Sequence, residues 1–249
     1  MVEQVGGADA GDIVEPPWWR PSGSGAPGRD RLSREAIVDA ALEVIDREGV
    51  AAVTLRRLAR DLDTGPASLY WHIANKDQLF ELVYDRILGE ITFPDPDPDR
   101  WADQLREVAR SSFEVMTRHN DAALLSLGAV PFGPNGLRMI EWTLAVLRGA
   151  GFADHLAGFF GDLLGRFIDA SVLEETRGRG RDTGAAADAE QMAMMGSYIA
   201  MLPPDRYPNI IAMVPAMFSG DAESRFELGL DLLLAGLAAH LPPDESPPT

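Results

Sequence analysis

The sequence contains no cysteine, so it can form neither a disulfide framework nor a thiolate metal site, as suits a cytoplasmic protein. It has no apolar stretch long enough to span a bilayer, and its first thirty residues show no secretory or transit pattern. Only four histidines are present, and no two of them have the spacing of a metal site. We therefore expect a cytoplasmic protein with no bound metal and no cofactor.

Motifs that carry catalysis are also lacking. The chain has no nucleophile motif and no glycine-rich phosphate loop. The adjacent carboxylates of Glu174 and Glu175 diverge by about 100° on a helix, which is poor geometry for shared acid and base chemistry. Strand patterns are negligible beside the helical periodicity. We therefore predict an all-α protein that is not an enzyme.

Basic side chains are fewer than acidic ones, and the net charge is −17. The deficit is uneven: residues 28–80 carry 8 basic and 9 acidic side chains, whereas residues 81–249 carry 13 basic and 26 acidic ones. Nucleic-acid binders usually show a basic footprint, so this composition predicts weak non-specific affinity for DNA. We hypothesise that the excess of acidic side chains in residues 81–249 helps to release the protein from bulk DNA.

A helix-turn-helix pattern is present in residues 55–79, LRRLARDLDTGPASLYWHIANKDQL. The first helix is indicated by apolar residues at helical spacing, namely Leu55, Leu58, Ala59 and Leu62. Pro66 suits the first position of a second helix, because its missing N–H would have no partner there. On that second helix Leu69 and Ile73 face inward, opposite to Ala67, Ser68 and Trp71, with Tyr70 and His72 on the flanks. This arrangement is typical of a DNA recognition helix.

Two flanking helices complete a small head of the molecule. Ser33 is the predicted N-cap of a helix that ends at Gly49. Asn75 and Gln78 form a predicted capping box for a helix that we expect to run from residue 76 to residue 91. That last helix would join the head to the rest of the chain.

The pattern from residue 33 to residue 91, and SLYWHIANKDQLF in particular, resembles the tetracycline repressor (TetR) family of bacterial transcriptional regulators. The likeness continues through WADQLREVARSSF, the VLEE at residues 172–175 and FELGLDLLLAGLAAHL, so it covers nearly the whole chain. The resemblance implies a three-helix DNA-binding head joined to a helical-bundle domain for ligand binding and dimerisation. It also implies DNA contact by Arg56, Pro66, Ala67, Ser68, Tyr70, Trp71, His72 and Lys76.

The chemistry of several of these residues agrees with DNA contact. Arg56 can donate a bidentate pair of hydrogen bonds to guanine, and Ala67 can meet a thymine methyl group. Side chains suited to phosphate oxygens are Ser68, Tyr70, His72 and Lys76. Pro66 stands where the tetracycline repressor itself reads with a glutamine, so the operator sequence should differ. The alternative, packing of the aromatic cluster between helices, stays open for Trp71.

The resemblance and the local patterns together divide the chain into domains. The head occupies residues 31–92, and the body occupies residues 101–241. Between them, FPDPDPDR at residues 93–100 should stop the preceding helix and form a stiff, extended link. A helix is then predicted from residue 101 to residue 118, and residues 178–188 are predicted to form a flexible surface loop.

The two ends of the chain are expected to be disordered, over residues 1–30 and 242–249. Before the first helix lie two tryptophans and three arginines: Trp18, Trp19, Arg20, Arg29 and Arg31. This segment is either an arm that reaches a minor groove or phosphates, or a mobile tail with incidental tryptophans.

Two segments of the body, residues 155–173 and 223–241, are unusually apolar and contain several glycines. Glycines such as Gly229 and Gly236 let another helix approach closely. A symmetric four-helix interface, with one pair of helices from each subunit, would bury both segments. The resemblance implies the same homodimer, and a buried pair of helices within one chain is the alternative.

The resemblance also places an effector site in the body. The positions of the tetracycline repressor's magnesium and drug contacts hold Ser126, Val108, Ala129 and Thr143 here, and only Glu174 keeps its match. Because the metal ligand and several polar contacts are lost, we expect a more apolar effector and no magnesium chelate. The candidate ligand-binding residues are Phe113, Met116, Phe132, Met139, Trp142, Arg166 and Glu174, each with plain core packing as the alternative.

Two further features of the body bear on this site. Arg166 lies on an otherwise apolar helix, so its guanidinium is expected to be buried and to pair with Glu174, Asp169 or a carboxylate of the ligand. Methionines form either an adaptable lid or ordinary core filling, at Met192, Met194, Met195, Met201, Met213 and Met217.

These patterns predict a homodimeric, sequence-specific transcriptional regulator, and in particular a repressor that a small-molecule effector releases from a palindromic operator. One alternative is a ligand-independent architectural DNA-binding protein, which would show weak sequence preference and strong positive charge. A small-molecule-binding helical protein or an enzyme is the other alternative.

Overall fold

The computed structural model describes residues 15–19, 32–177, 185–217 and 219–241. Those residues form helices and no strand, which confirms the predicted all-α class. The helices are α1 (Arg34–Glu48), α2 (Leu55–Asp61), α3 (Pro66–His72), α4 (Lys76–Leu88), α5 (Trp101–Arg118), α6 (Ala122–Gly128), α7 (Pro134–Gly149), α8 (Asp154–Arg177), α9 (Ala185–Ala200), α10 (Pro208–Met217) and α11 (Ala222–Ala238). No helix in these ranges is long and apolar enough to cross a membrane.

The predicted head forms from α1, α2, α3 and the start of α4. The Ser33 hydroxyl caps α1, and Gly49 ends that helix with a φ of 84°, a backbone conformation that favours glycine. Asn75 Oδ1 accepts the Gln78 N–H at 2.8 Å, while Gln78 Oε1 accepts the Ala74 N–H at 2.6 Å. The predicted capping box therefore forms, with its return hydrogen bond one residue earlier than expected.

Helix α4 connects the head to the body. It packs against α1 on one side and against α6 and α7 on the other. It ends at Leu88 rather than at residue 91. The Trp142 indole N–H donates to the Pro94 carbonyl at 2.6 Å, and the Gln104 amide bonds the backbone of Asp95 and Asp97. Residues 91–97 have neither helix nor strand, and residues 94–97 are hydrogen bonded to α5 and α7. The predicted link is shorter than expected, because Pro98–Arg100 form a short 3-10 helix.

The body is organised around α8, which packs against α5, α6, α7 and α11. Helix α5 has the bounds that the sequence predicted. Helices α9 and α10 pack against each other. The predicted loop over residues 178–188 is too long, because α9 begins at Ala185 with an alanine-rich turn that favours helix; residues 178–184 lie outside the described residues.

Helices α8 and α11 pair within the chain, but each keeps an apolar face that no described residue covers. Phe159 and Leu163 on α8 are 75% and 49% exposed, and Leu228 and Leu232 on α11 are 61% and 66% exposed. A pair of helices buried within one chain does not account for these faces.

Residues 15–19, which we call the N-terminal strap, correct the expectation of a mobile arm. The indole N–H groups of Trp18 and Trp19 donate to Glu81 Oε2 at 3.0 and 2.7 Å, and Trp19 is only 5% exposed. Glu15 pairs with Arg34 at the start of α1. The strap therefore docks on α1 and α4. The other expected arm residues, Arg20, Arg29 and Arg31, and the tail 242–249 lie outside the described residues.

Candidate functional site

The first candidate surface is the helix-turn-helix formed by α2 and α3. Thr54 caps α2, and Pro66 occupies the first turn of α3, as predicted. The turn between the helices passes through Asp63, whose φ is 51°, a left-handed conformation that aspartate tolerates. Leu69 and Ile73 are fully buried, which fixes the inward face of α3 as predicted. The opposite face of α3 is consequently turned to solvent.

The outward residues of α3 form a continuous surface. Trp71 is 76% exposed and Tyr70 is 47% exposed, while Ser68 and His72 are half-buried. Pro66 and Ala67 are exposed at the start of the helix. The exposure of Trp71 removes packing within the chain as its explanation. A large apolar side chain so exposed on a short helix is typical of a contact surface.

The arginines of α2 differ in availability. Arg56 is exposed, and no ion pair to it occurs among the described residues. Arg57 is held by Glu48 through two hydrogen bonds, at 2.6 and 2.5 Å, and also by Asp61 at 3.4 Å. The two arginines beside Glu48 lower the pKa of its carboxyl to about 2, so the pair with Arg57 stays charged above that pH. Arg57 thus ties α2 to the end of α1, whereas Arg56 is open to a partner.

Lys76, at the first position of α4, is the only lysine in the sequence. Its ammonium group lies 4.9 Å from the centre of the Phe80 ring, a cation–π contact that leaves its donors open to an anion. The head therefore presents few cations, but it presents them beside the exposed face of α3. The sequence analysis had not noted that this lysine is unique.

The second candidate site is a cavity of about 690 Å³ enclosed by residues of α4, α5, α6, α7 and α8. Its size is that of a site for a small organic molecule. Of the predicted ligand-binding residues, the structure brings four to its lining: Phe132, Met139, Trp142 and Arg166. The four positions matched to tetracycline-repressor contacts also line it: Ser126, Val108, Ala129 and Thr143.

The other three predicted ligand-binding residues lie elsewhere. Phe113 stacks on Phe226, with ring centres 4.5 Å apart. Met116 is buried in the core, and Glu174 pairs with Arg225 at 2.6 Å. None of the three lines the cavity within the described chain.

Arg166 does not have the buried setting that the sequence analysis expected. Its side chain is 75% exposed and pairs with Asp162, one helical turn earlier, at 3.0 Å. It reaches solvent because its long side chain can extend past the cavity rim. The prediction of a guanidinium buried against Glu174 or Asp169 is therefore wrong.

The methionine lid is not formed within one chain. Five of the six methionines are exposed and line no cavity in the described residues: Met194, Met195, Met201, Met213 and Met217. The side chain of Met192 lies outside the description.

Three glycines of α8 make room for the cavity. Gly158, Gly161 and Gly165 follow one another at helical spacing and all line it. A Cβ atom added at Gly158 or Gly165 would meet nothing within 4 Å. The apolar pattern of residues 155–173 predicted a segment buried against other helices, but the common face of these glycines opens on empty space. The spacing of the three glycines was the signal that could have revealed this wall.

Polar groups in the cavity are few, and three of them are Tyr84 on α4, Ser126 on α6 and Asp169 on α8. The Ser126 hydroxyl donates to Asp169 Oδ2 at 2.6 Å. Burial raises the pKa of Tyr84 to about 12, so its phenol stays neutral. Burial also raises the pKa of Asp169, and the hydrogen bond from Ser126 opposes that effect.

Asp85, the neighbour of Tyr84 on α4, holds the start of α7. Its Oδ1 accepts the backbone N–H groups of Asn135 and Gly136, both at 3.0 Å. Burial raises the pKa of Asp85, and these hydrogen bonds oppose the rise. A carboxylate at a helix N-terminus is favoured by the helix dipole. Tyr84 therefore lines the cavity, and the next residue of α4, Asp85, holds the start of α7, which forms another side of the same cavity.

The described residues contain no group of three His, Asp or Glu side chains that could hold a metal ion. Ser126 stands at the position matched to a metal-binding histidine, and it bonds Asp169 instead.

Comparison with known proteins matches most of the chain to two family models. Residues 37–83 match the family model for bacterial regulatory proteins of the tetR family, and residues 93–241 match the model of the tetracyclin repressor-like C-terminal domain. An HTH-type transcriptional regulator of Saccharopolyspora erythraea is 32% identical over 224 residues, 89% of this chain and 91% of that protein.

Solved structures give the same result. The TetR family protein ActR of Streptomyces coelicolor, in complex with actinorhodin, is 40% identical, with a TM-score of 0.77 over 84% of this chain and 98% of that one. BioQ bound to its double-stranded DNA operator is 26% identical, with a TM-score of 0.57 over 84% of this chain and 100% of that one.

Proposed function

The chain belongs to the TetR family of bacterial transcriptional regulators, and we propose that it is a homodimeric repressor that a small-molecule effector releases from a palindromic operator. One observation carries this proposal: α4 runs from the exposed helix-turn-helix to the wall of the cavity. Relatives include a regulator solved with an organic ligand and another solved with its operator. We place the activity in the bacterial cytoplasm, where operator DNA lies.

In the proposed complex α3 enters the major groove of the operator. Arg56 donates to a guanine edge, and Ala67 contacts a thymine methyl group, since both are exposed, in the first turns of α2 and α3 respectively. Pro66 and Trp71 add apolar contact. The phosphate backbone on either side is met by Ser68, Tyr70, His72 and Lys76. Because cations are few, specificity rests more on fit to the groove than on net charge.

Dimerisation in the proposal uses the uncovered faces of α8 and α11. Phe159 and Leu163 would meet Leu228 and Leu232 of a second copy, and a two-fold axis would make a bundle of four helices. Gly236 on α11 has open space where its Cβ would lie, which allows a partner helix to come close. The dimer would set the spacing of the two recognition helices.

Release from DNA in the proposal is a change of that spacing. Two recognition helices bind successive major grooves when they lie about 34–36 Å apart, one turn of DNA. A ligand that binds better to a different spacing draws the population away from DNA. Tyr84 and Asp85 lie side by side on α4, so a ligand in the cavity would bias the angle of α4 against α7. By linkage, operator DNA weakens ligand binding by the same factor.

The proposal is tested by protection of the DNA upstream of this protein's own gene at fixed salt. The wild type should give a discrete palindromic footprint, and the double variant Arg56→Ala, Tyr70→Ala should lose it. Arg148→Ala is the matched control, because this arginine of α7 is exposed and, among the described residues, its one ion pair is with Asp154. A footprint that survives in the double variant would refute the assigned DNA surface. Weak protection without sequence preference would favour an architectural DNA binder.

A further inference from the structure

Asp169 is a carboxylate that the cavity leaves half-satisfied. Its Oδ2 accepts the Ser126 hydroxyl at 2.6 Å, and no described residue donates to its Oδ1. No cation pairs with it among the residues that the structure describes. Arg166, the one cation in the lining, is held by Asp162. A partly buried carboxylate without a charged partner can accept further hydrogen-bond donors.

The other polar groups of the wall do not compete for a ligand in the same way. The Ser112 hydroxyl donates to the Val108 carbonyl at 2.7 Å, and the Thr143 hydroxyl donates to the Met139 carbonyl at 2.9 Å. Both hydroxyls are thus occupied by their own helices. The remaining lining is mostly apolar and includes the rings of Phe132 and Trp142. Asp169 is therefore the acceptor that a bound molecule would find unsatisfied.

We propose that the effector is a largely apolar molecule that presents a hydrogen-bond donor, either a hydroxyl or a protonated amine, to the carboxylate of Asp169. This inference rests on the proposed function, in which the cavity holds the effector. A donor at this point would complete the hydrogen bonding of the carboxylate, and a hydrogen bond to a charged group contributes more than one between neutral groups.

The donor would also bind next to the helix that connects the head to the body. Asp169 on α8 accepts the Ser126 hydroxyl of α6, and Tyr84 on α4 lines the same cavity. A ligand that engages Asp169 is therefore placed beside α4, the helix whose angle changes in the proposed function.

The test uses the full-length protein with prodan, an uncharged naphthalene fluorophore without a donor, as the reporter of the cavity. Three competitors share its ring: 2-naphthol, 2-naphthylmethylamine and 2-methoxynaphthalene. We expect at least one of the two donor compounds to displace prodan from the wild type at roughly tenfold lower concentration than 2-methoxynaphthalene. An advantage of the amine alone identifies a cationic effector, and an advantage of the naphthol identifies a neutral, hydroxylated one.

Variants of single residues test whether the advantage of the donor compounds depends on Asp169. Asp169→Ala should abolish it, while Glu141→Ala should keep it, because Glu141 is exposed on α7 between two lining residues and does not itself line the cavity. Thermal unfolding followed by circular dichroism checks that each variant folds. If Asp169→Ala does not fold, Asp169→Asn, which keeps the size without the charge, should lose the advantage of the amine.

The outcomes separate this inference from the proposed function. The variant Gly165→Phe fills the cavity with a large side chain. If prodan binds the wild type but not this variant, the cavity is a site for ligands. If the donor compounds then have no advantage, or if they keep it in Asp169→Ala, the inference is overturned and the ligand site stands. If prodan does not bind, or binds Gly165→Phe equally well, the effector site of the proposed function fails and the inference fails with it.

Discussion

Two glycines on the helices of the body should respond in opposite directions to the same substitution. Gly165 on α8 faces the cavity, and a Cβ atom there would meet nothing within 4 Å. Gly229 on α11 faces Phe167 on α8, and a Cβ atom there would lie 2.5 and 2.6 Å from two atoms of the ring. Gly165→Ala should stabilise the fold, and Gly229→Ala should destabilise it.

The magnitudes follow from helix propensity and packing. Replacing glycine by alanine inside a helix gains about 0.5–1 kcal/mol, and this is the whole effect expected at Gly165. At Gly229 the same gain is set against overpacking, which costs about 1–3 kcal/mol. The Phe167 ring cannot easily retreat, because it stacks on Phe226 at 5.5 Å and Phe226 is 2% exposed. We therefore expect Gly229→Ala to lose about 1–2 kcal/mol in total.

Thermal unfolding at one fixed protomer concentration measures both variants, since a dimer's Tm depends on concentration. For a chain of this size each kcal/mol shifts Tm by about 2–4 °C, so Gly165→Ala should raise Tm by roughly 1–4 °C and Gly229→Ala should lower it by a similar or larger amount. Equal shifts of the same sign would show that α8 and α11 do not approach each other as closely as the structure has them.

Three further results are expected. Arg56→Ala should weaken operator binding in a mobility-shift assay by about 1–3 kcal/mol and leave Tm unchanged. Arg57→Ala should lower Tm, because it frees α2 from α1. The reverse pattern in the two variants would contradict these roles. Trp19→Ala should speed protease cleavage next to the strap while Trp18→Ala, at a 54% exposed position, should change it little; equal rates would mean that Trp19 does not hold the strap. Because burial raises the pKa of Asp169 in the folded state, its contribution to the free energy of unfolding is greatest below about pH 3.9 and is lost as the pH rises through the raised pKa. The free energy of unfolding of Asp169→Asn, measured in urea, should therefore rise relative to that of the wild type from pH 4 to pH 7. A fall over that range would contradict the burial of Asp169.

The helices and the helix-turn-helix could be predicted because their signals are local. Ser33 and Asn75 cap helices through contacts within four residues, and the apolar spacing of α5 gave both of its ends. The inward face of α3 followed from Leu69 and Ile73 alone. Patterns of this kind state which residues form an element and which face it buries.

The sequence did not reveal contacts between distant residues. Trp19 is buried because Glu81, 62 residues later, accepts its indole N–H, and nothing near Trp19 in the chain indicates that partner. The same holds for Asp169, whose partner Ser126 lies 43 residues earlier. Local composition predicted disorder around the first, and for the second it offered only Arg166 as a possible partner.

The orientation of the faces of α8 was the other feature that the sequence did not predict. Arg166 and the three cavity glycines lie on one helix with apolar residues on several sides, so its periodicity did not show which face meets the core, the cavity or a partner. The structure places Gly165 towards the cavity and Phe159 towards solvent. A helix that serves more than one surface needs its neighbours before its residues can be assigned.

The most direct test of the central claim is selection of DNA by the wild-type protein from a random pool, followed by sequencing. A dimer with α3 as its recognition helix predicts two inverted half-sites whose centres lie about 10–10.5 base pairs, or a multiple of that, apart. Enrichment of single half-sites, of inverted half-sites off this spacing, or of no sequence at all would contradict it.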